Sequence, residues 1–309
     1  MSIAIIYPHR NVSDWIQALH THGPDLKIEV WPDISAPEEV ELALCWNHPD
    51  GSLQQFPNLK CISSLGAGIN QLLDDDSRPT EIPLVRLVDD NLKQSMAEYV
   101  MAGVLEQFRR FKDYRQQQSE KRWAELEIPH ISELCVGIMG CGEIGRFVGN
   151  KLADFGFTVR GWSRTQQDCG QFHIYAGDDE LESFLSHANI LVCLLPLTPK
   201  TENILNLQVF NQLPKNAFLI NAARGSHLVE ADLLSALESG QLSGALLDVC
   251  RQEPLSEQHP FWTHSKISIT PHIASPTNPE SAAEQIVDNY HRVLSGESLL
   301  NLVDIECGY

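Results

Sequence analysis

Three short segments carry residue types that could do chemistry, and each follows an apolar run that predicts a β-strand. Arg224 lies just after the predicted strand 217–220, Glu253 follows the strand 244–249, and His272 follows the strand 267–270. In an open sheet of parallel strands, ligands bind beyond the carboxyl ends of the strands. We therefore expect a guanidinium, a carboxylate and an imidazole to meet at one edge of a sheet.

Together these three side chains suit the reduction of a 2-oxo acid by hydride transfer. Arg224 can hold a carboxylate with two charge-assisted hydrogen bonds and polarise the neighbouring carbonyl. His272 has the side chain that best protonates a developing alkoxide near neutral pH. Glu253 can orient the imidazole and favour its protonated form. Any one of them alone could be structural, so the interpretation depends on their occurring together.

A glycine-rich turn indicates the source of the hydride. The apolar run 134–139 is followed by Gly140, Gly142 and Gly145, in the pattern G-x-G-x-x-G, and then by a stretch with helical spacing. The first glycine allows a tight turn, the second lets a pyrophosphate approach the backbone, and the third permits close packing of helix on strand. The helix N-terminus offers N–H groups to the anion. The alternative is a glycine turn with a structural role alone.

The residues after the next predicted strand bear on the choice of dinucleotide. An acidic residue about 20 positions beyond the glycines usually binds the ribose of NAD. Here the strand 158–162 is followed by Ser163, Arg164 and Thr165, with no carboxylate. An arginine and two hydroxyl groups can bind a 2′-phosphate, which a carboxylate would repel. We predict NADP(H) over NAD(H), the alternative being that Arg164 is an ordinary solvated residue.

Apolar runs and amphipathic stretches alternate along nearly the whole chain, which predicts an α/β fold with parallel sheets. Two stretches, 92–122 and 279–294, have the apolar stripe of long helices and are expected near the domain boundary. Segments 74–80 and 251–263 are predicted to be surface loops. The predicted strands are 3–7, 42–46, 61–64, 135–139, 158–162, 190–194, 217–220, 244–249 and 267–270.

Composition excludes several classes of function. The 309 residues suit two domains better than one, and the net charge of −19 disfavours binding to nucleic acid or to anionic membrane surfaces. No apolar run approaches the ~18 residues of a membrane span, and the N-terminus lacks the pattern of a secretory signal. The 8 cysteines form no Cys-x-x-Cys pair, which predicts reduced thiols in a cytoplasmic protein without a metal site.

The motifs taken together resemble the D-isomer-specific 2-hydroxyacid dehydrogenase family. The resemblance rests on residues 65–69, 140–145, 194–199, 221–225, 248–254 and 271–274, and it covers nearly the whole chain. It implies two Rossmann-like lobes with parallel sheets, of which the substrate lobe is discontinuous. The implied domains are 1–97 plus 275–309 for the substrate and 98–274 for NAD(P). It also implies a homodimer.

The resemblance assigns roles to individual residues. It makes Arg224, Glu253 and His272 catalytic, with Arg224 and His272 also touching the substrate. The backbone of Leu65, Gly66, Ala67 and Gly68 would help to hold the substrate carboxylate, although an ordinary turn would also suit the two glycines. The implied cofactor-binding residues are Gly140, Gly142, Glu143, Ile144, Ser163, Arg164, Thr165, Leu195, Pro196, Ala222 and Asp248, the last beside the nicotinamide.

Within the family, the sequence is most similar to reductases of glyoxylate and hydroxypyruvate, through Trp46, residues 162–164 and residues 307–309. This implies NADPH-dependent reduction of glyoxylate to glycolate and of hydroxypyruvate to D-glycerate, in a cleft that closes over the substrate. Trp46 would either close the pocket or belong to the core. Two alternatives are an NAD-dependent D-2-hydroxyacid dehydrogenase of another substrate and a non-catalytic protein whose binding a dinucleotide controls.

Overall fold

The computed structural model describes residues 2–8, 10–168 and 170–305. Predictions that concern Cys169, Cys307 and the segment 307–309 lie outside these residues. The chain forms two units, Met1–Leu92 with Pro276–Tyr309, and Lys93–Ser275. The family resemblance implies the corresponding limits at 97/98 and 274/275.

The described residues contain short strands and mostly short helices, as an α/β fold requires. The strands are β1 (Ser2–Ile6), β2 (Ile28–Val30), β3 (Val40–Cys45), β4 (Cys61–Ser64), β5 (Leu84–Val85), β6 (Cys135–Met139), β7 (Thr158–Ser163), β8 (His173–Ala176), β9 (Ile190–Cys193), β10 (Ala217–Asn221), β11 (Leu242–Leu247) and β12 (Ile267–Ile269). The helices are α1 (Ser13–His22), α2 (Asn70–Leu73), α3 (Asp90–Phe108), α4 (Phe111–Ser119), α5 (Glu143–Phe155), α6 (Leu181–Leu185), α7 (Leu207–Gln212), α8 (Glu230–Glu238) and α9 (Pro279–Ser295).

The first unit contains a parallel sheet with the strand order β2-β1-β3-β4-β5. Successive residues of a strand point to opposite faces, so Ile3 and Leu42 join one apolar cluster while Ala4 and Ala43 join another. Helices α1 and α9 cover the first of these faces together. The strand order reverses between β1 and β3, which places the carboxyl end of β3 beside a topological switch point.

The second unit contains a parallel sheet with the order β12-β11-β10-β9-β6-β7-β8. Val100 and Val104 of α3 pack on one face of it, and Phe184 and Phe210 pack on the other. The order reverses between β6 and β9, where dinucleotides bind in sheets of this kind. The predicted α/β class with two parallel sheets is confirmed.

Several predicted elements differ from those observed. The helix predicted over 92–122 is two helices, α3 and α4, because the chain turns at Arg110, whose φ of 56° is left-handed and ends helical hydrogen bonding. Strands β2, β5 and β8 were not predicted. The segment 74–80 is irregular, but Asp75 and Arg78 are buried in it. The prediction of a surface loop is therefore wrong at these two residues.

Helix α9 begins and ends close to the predicted residues. The side chain of Asn278 accepts a hydrogen bond from the backbone N–H of Glu280, which caps the first turn. Gly296 ends the helix in the left-handed conformation, with a φ of 72°. Both signals stand in the sequence, which explains the agreement.

Candidate active site

The turn after β6 requires glycine at two of its three glycine positions. Gly140 has a φ of 100°, and a Cβ on it would lie 2.7 Å from the carbonyl carbon of Leu194. A Cβ on Gly145 would lie 1.9 Å from the carbonyl oxygen of Gly140, so any side chain would force α5 away from the turn. These two glycines therefore set the close approach of helix and strand.

The third glycine fits a dinucleotide. Gly142 is the residue that precedes α5, and a Cβ on it would meet no protein atom within 4 Å. Packing within the protein does not demand glycine there, whereas a pyrophosphate against the backbone would. Of the two neighbours predicted to bind cofactor, Glu143 pairs with Arg146 and Ile144 packs against an apolar cluster of the second unit. The N-terminus of α5 is thus suited to hold the phosphates.

The residues after β7 carry no carboxylate. Ser163 is buried, and its hydroxyl donates to the carbonyl of Thr165 at 2.6 Å. Its proton is therefore used within the turn, while Arg164 and Thr165 are exposed at the surface. The predicted binding of a 2′-phosphate falls on Arg164 and the Thr165 hydroxyl, with Ser163 shaping the turn.

The loops after β9 and β10 pack against each other, near the point between β6 and β9 where the strand order reverses. Leu195 and Ala222 are buried, and the N–H of Ala222 donates to the carbonyl of Cys193 at 3.3 Å. Pro196 is half-buried, and its carbonyl accepts a hydrogen bond from the Thr201 hydroxyl at 2.7 Å. All three residues predicted to bind cofactor here lie at the expected end of the sheet, and their contact with a cofactor stays a prediction.

Arg224 is held by its neighbours at the end of β10. The side chain of Asn221 donates to the carbonyl of Arg224 at 3.1 Å, and the Nη1 of Arg224 donates to the carbonyl of Ala223 at 2.7 Å. A Cβ on Gly225 would lie 2.0 Å from the backbone of Cys250, so only glycine lets the two loops touch. Burial lowers the pKa of the Arg224 guanidinium, and the charge of Glu253 opposes this. An arginine remains cationic nonetheless.

His272 and Glu253 form a hydrogen-bonded pair. The Nδ1 of His272 lies 2.8 Å from Oε2 of Glu253, while Oε1 of Glu253 accepts from the N–H of Cys250 at 3.0 Å. Burial acts to raise the pKa of Glu253, but these hydrogen bonds, with the charges of His272 and Arg224, hold that pKa below its usual value. Nδ1 is occupied, so Nε2 is the nitrogen that can donate a proton to a ligand.

The loop that carries His272 is clamped by Asp248. One carboxylate oxygen of Asp248 accepts from the Thr270 hydroxyl at 2.6 Å and from the N–H of Ile273 at 2.8 Å, and the other accepts from the N–H of Ala274 at 2.8 Å. His272 itself has a φ of 56°, a left-handed conformation that costs about 1 kcal/mol for a side chain of this kind. The hydrogen bonds of Asp248 hold this conformation, and its predicted contact with the nicotinamide would be additional.

Three residues of this network were missed from the sequence. The Tyr99 hydroxyl lies 2.6 Å from the Thr270 hydroxyl, although 171 positions separate the two residues, and no sequence pattern joins them. Thr270 stands two positions before His272, in the motif itself, and its hydroxyl was a signal that could have been used. His227 is wholly buried and hydrogen-bonds the backbone of Arg224, three positions earlier.

In the first unit, a backbone hydrogen bond to the end of β3 fixes the start of the loop after β4. The N–H of Leu65 donates to the carbonyl of Cys45 at 3.0 Å, so it extends the sheet and is not free for a ligand. The N–H of Gly66 also donates, to the Ser64 hydroxyl at 3.3 Å, so the prediction of carboxylate binding falls on the N–H groups of Ala67 and Gly68. Trp46 is half-buried, and a Cβ on Gly66 would lie 2.6 Å from its ring, so the indole lies against this loop as well as on the core.

The described residues include neither a membrane-spanning helix nor a cluster of metal-binding side chains. None of the helices there is long and apolar enough to cross a membrane. Across the same residues, no group of three or more His, Cys, Asp or Glu side chains is arranged to bind a metal ion. The cysteines that the structure describes are free thiols, namely Cys45, Cys61, Cys135, Cys141, Cys193 and Cys250.

Comparison with known proteins gives full-length matches. The family model for the NAD-binding domain of D-isomer-specific 2-hydroxyacid dehydrogenases matches residues 101–274. The chain is 41% identical to glyoxylate/hydroxypyruvate reductase A of Yersinia enterocolitica, over 100% of both chains. The matched range 101–274 includes the glycine turn, Arg224, Glu253 and His272.

Solved structures agree in fold. A D-isomer-specific 2-hydroxyacid dehydrogenase from Xanthobacter autotrophicus, in complex with NADPH and MES, has a TM-score of 0.96 at 38% identity, over 100% of this chain and 99% of that chain. An NADPH-dependent glyoxylate/hydroxypyruvate reductase from Sinorhizobium meliloti, in complex with NADP and sulfate, has a TM-score of 0.93 at 34% identity, over 100% of both chains.

Proposed function

Because this chain belongs to the D-isomer-specific 2-hydroxyacid dehydrogenase family and is an NAD(P)-dependent oxidoreductase, we propose that it reduces small 2-oxo acids, glyoxylate and hydroxypyruvate first, with NADPH. The products would be glycolate and D-glycerate. The relative from Yersinia enterocolitica bears the name of that activity, and the two solved relatives bind NADPH or NADP.

The hydrogen bond between His272 and Glu253, in the same unit as Arg224, is the observation that carries the proposal. Arg224 binds the substrate carboxylate and draws electron density from the adjacent carbonyl. When bound, a reduced nicotinamide would supply the hydride. His272 gives the Nε2 proton to the oxygen, and the Glu253 carboxylate stabilises the imidazolium before transfer. Asp248 keeps the loop of His272 in place throughout.

The preference for NADPH rests on the end of β7. Ser163 stands where a carboxylate would bind the ribose of NAD, and Arg164 follows it at the surface. A guanidinium there attracts a 2′-phosphate and offers it hydrogen bonds. We propose that NADPH is used in preference to NADH and that NADH is a poorer substrate.

Initial rates on a panel of 2-oxo acids test this function. The panel holds glyoxylate, hydroxypyruvate, pyruvate and 2-oxobutyrate, each with NADPH and with NADH, followed by absorbance of the reduced nicotinamide. The highest kcat/KM is expected for glyoxylate or hydroxypyruvate with NADPH. A higher kcat/KM with NADH would favour an NAD-dependent dehydrogenase. Tight NADPH binding with no turnover of any acid would contradict the reaction and favour a non-catalytic binding protein.

We also propose a homodimer, as the commonest assembly of such chains. Light scattering coupled to size exclusion measures the mass directly. A mass equal to that of one chain across the working concentration range would contradict this proposal.

A further inference from the structure

His227 lies between the two loops that carry the predicted substrate and cofactor residues. It is wholly buried at the end of the short turn Gly225–His227, directly after Arg224. Its Nδ1 lies 3.2 Å from the backbone nitrogen of Arg224, and its Nε2 lies 3.3 Å from the carbonyl oxygen of Pro196. One ring thus touches the backbone of the loop after β10 and that of the loop after β9.

The two partners determine the protonation of the ring. The N–H of Arg224 can only donate, and it lies 3.2 Å from Nδ1; the carbonyls of Pro196 and Arg224 can only accept, and they lie 3.3 Å from Nε2 and 3.1 Å from Nδ1. The neutral imidazole with its proton on Nε2 pairs with the N–H of Arg224 and the carbonyl of Pro196, whereas an imidazolium would donate to the two carbonyls, and complete burial of the ring favours the neutral form. Burial lowers the pKa of His227, and the charge of Arg224 lowers it further, against the raising effect of the neighbouring carbonyls.

The backbone of His227 is fixed independently of its ring. The N–H of Leu205 donates to the carbonyl of His227 at 2.9 Å, and Gly225 is wedged against Cys250. Pro196, for its part, accepts a second hydrogen bond from the hydroxyl of Thr201. The ring therefore spans two anchored segments, and a shift of either loop must break or strain one of its two hydrogen bonds.

We propose that His227 is a positioning residue that couples the arginine that binds substrate to the loop that binds cofactor. The proposal rests on the proposed function for the role of Arg224. Its Nδ1 sets the backbone from which the guanidinium of Arg224 projects, and its Nε2–H sets the carbonyl of Pro196. Substrate affinity thus depends on one ring nitrogen and NADPH affinity on the other.

Two substitutions separate the nitrogens. In His227→Asn the side-chain oxygen can replace Nδ1 as acceptor for Arg224, but no atom reaches Pro196. In His227→Gln the amide nitrogen can reach Pro196, but nothing replaces Nδ1. His227→Gln is expected to raise the KM for glyoxylate about three- to tenfold with little change in the Kd for NADPH, and His227→Asn to do the reverse. Thr201→Val, which removes the other donor to Pro196, should resemble His227→Asn.

Nitrogen-15 NMR of the histidine rings in the wild-type chain tests the tautomer without any substitution that could prevent folding. A ring assigned to His227 should be protonated at Nε2, unprotonated at Nδ1, and unchanged between mildly acidic and mildly alkaline pH. A proton on Nδ1 would overturn the coupling. So would equal changes of the KM for glyoxylate and of the Kd for NADPH in His227→Asn and His227→Gln. Failure of the wild type to reduce any 2-oxo acid would instead reject the proposed function, since NADPH titration and NMR still test His227.

Discussion

The carboxylate of Glu253 receives the imidazole of His272 on one oxygen, at 2.8 Å, and the backbone N–H of Cys250 on the other, at 3.0 Å. The position of the imidazole thus depends on a carboxylate that is itself held by the backbone. The side chains of His272 and Glu253 are 40% and 39% exposed, so a ligand can reach them from solvent. This accessible, fixed pair has consequences that experiments can measure.

Replacing Glu253 by Gln keeps the shape of the side chain but removes its charge. The kcat for reduction should fall by about 10- to 100-fold, because the neutral amide no longer offers a charged acceptor to hold the imidazole that donates the proton. Steady-state rates of reduction provide the measurement. Glu253→Asp, which restores the charge at shorter reach, should recover part of the lost kcat, and a wild-type kcat in Glu253→Gln would contradict the pairing.

The lowered pKa of Glu253 fixes the sign of its effect on stability. A carboxyl group whose pKa is lower in the folded chain stabilises the fold above its unfolded pKa. That contribution is lost only as the pH falls through the lowered value. Thermal melts of the wild type should therefore show a larger loss of Tm on acidification than melts of Glu253→Gln. The same dependence of Tm on pH in the two proteins would contradict a lower pKa of Glu253 in the folded chain.

Replacing His272 removes the proposed proton donor. The kcat of His272→Asn should fall about 10²- to 10⁴-fold, while the Kd for NADPH changes little. Asparagine is preferred here to alanine because it tolerates the left-handed backbone that His272 adopts, with its φ of 56°. Single-turnover rates separate the chemical step from product release, and a wild-type rate in that step would remove His272 as the acid.

Arg164 should govern the choice between the two dinucleotides. In Arg164→Ala the KM for NADPH should rise about tenfold or more, while the KM for NADH changes little, because only NADPH carries the 2′-phosphate. Arg122→Ala is a matched control, since Arg122 is an exposed arginine in another part of the second unit. Equal effects of Arg164→Ala on both cofactors would show that Arg164 is an ordinary surface residue.

The hydroxyl of Thr270 should matter more than its size suggests. Thr270→Val removes the donor to Asp248 and the partner of Tyr99, so we expect a loss of about 1–3 kcal/mol in the free energy of unfolding and a lower kcat. Thr270→Ser keeps the hydroxyl and should retain most of both. Denaturant melts and steady-state rates measure the two effects, and a Ser variant as impaired as Val would point to packing of the methyl group.

Much of the architecture could be predicted because its signals are local. Strand β6, for example, is an uninterrupted apolar run, and the glycines after it have no substitute at the positions where a Cβ would collide. Strands β2 and β5 have three and two residues, too few for any periodic pattern to show. The left-handed turn at Arg110 is likewise a single-residue event that no periodicity marks.

The residues of the candidate site also fall into two groups, those that local sequence signals reveal and those that matter only through contacts with distant parts of the chain. Arg224, Glu253 and His272 could be found because each follows a strand and parallel strands end at a common edge. His227 and Tyr99 could not be found, since their importance lies in which distant backbone or hydroxyl group they touch. Those contacts depend on how loops settle after the sheet has formed, and no spacing in the sequence records them.

The first unit is built from two separate parts of the chain, and this affects how it folds during synthesis on the ribosome. Ala282, Ala283 and Ile286 of α9 complete an apolar cluster whose other members include Trp15 and Leu19 near the start of the chain. That cluster cannot close until translation has passed Ser295 and the nascent helix has left the exit tunnel. The second unit, Lys93–Ser275, lies between these two parts of the chain and can fold beforehand. The unit whose synthesis begins first therefore completes its folding last.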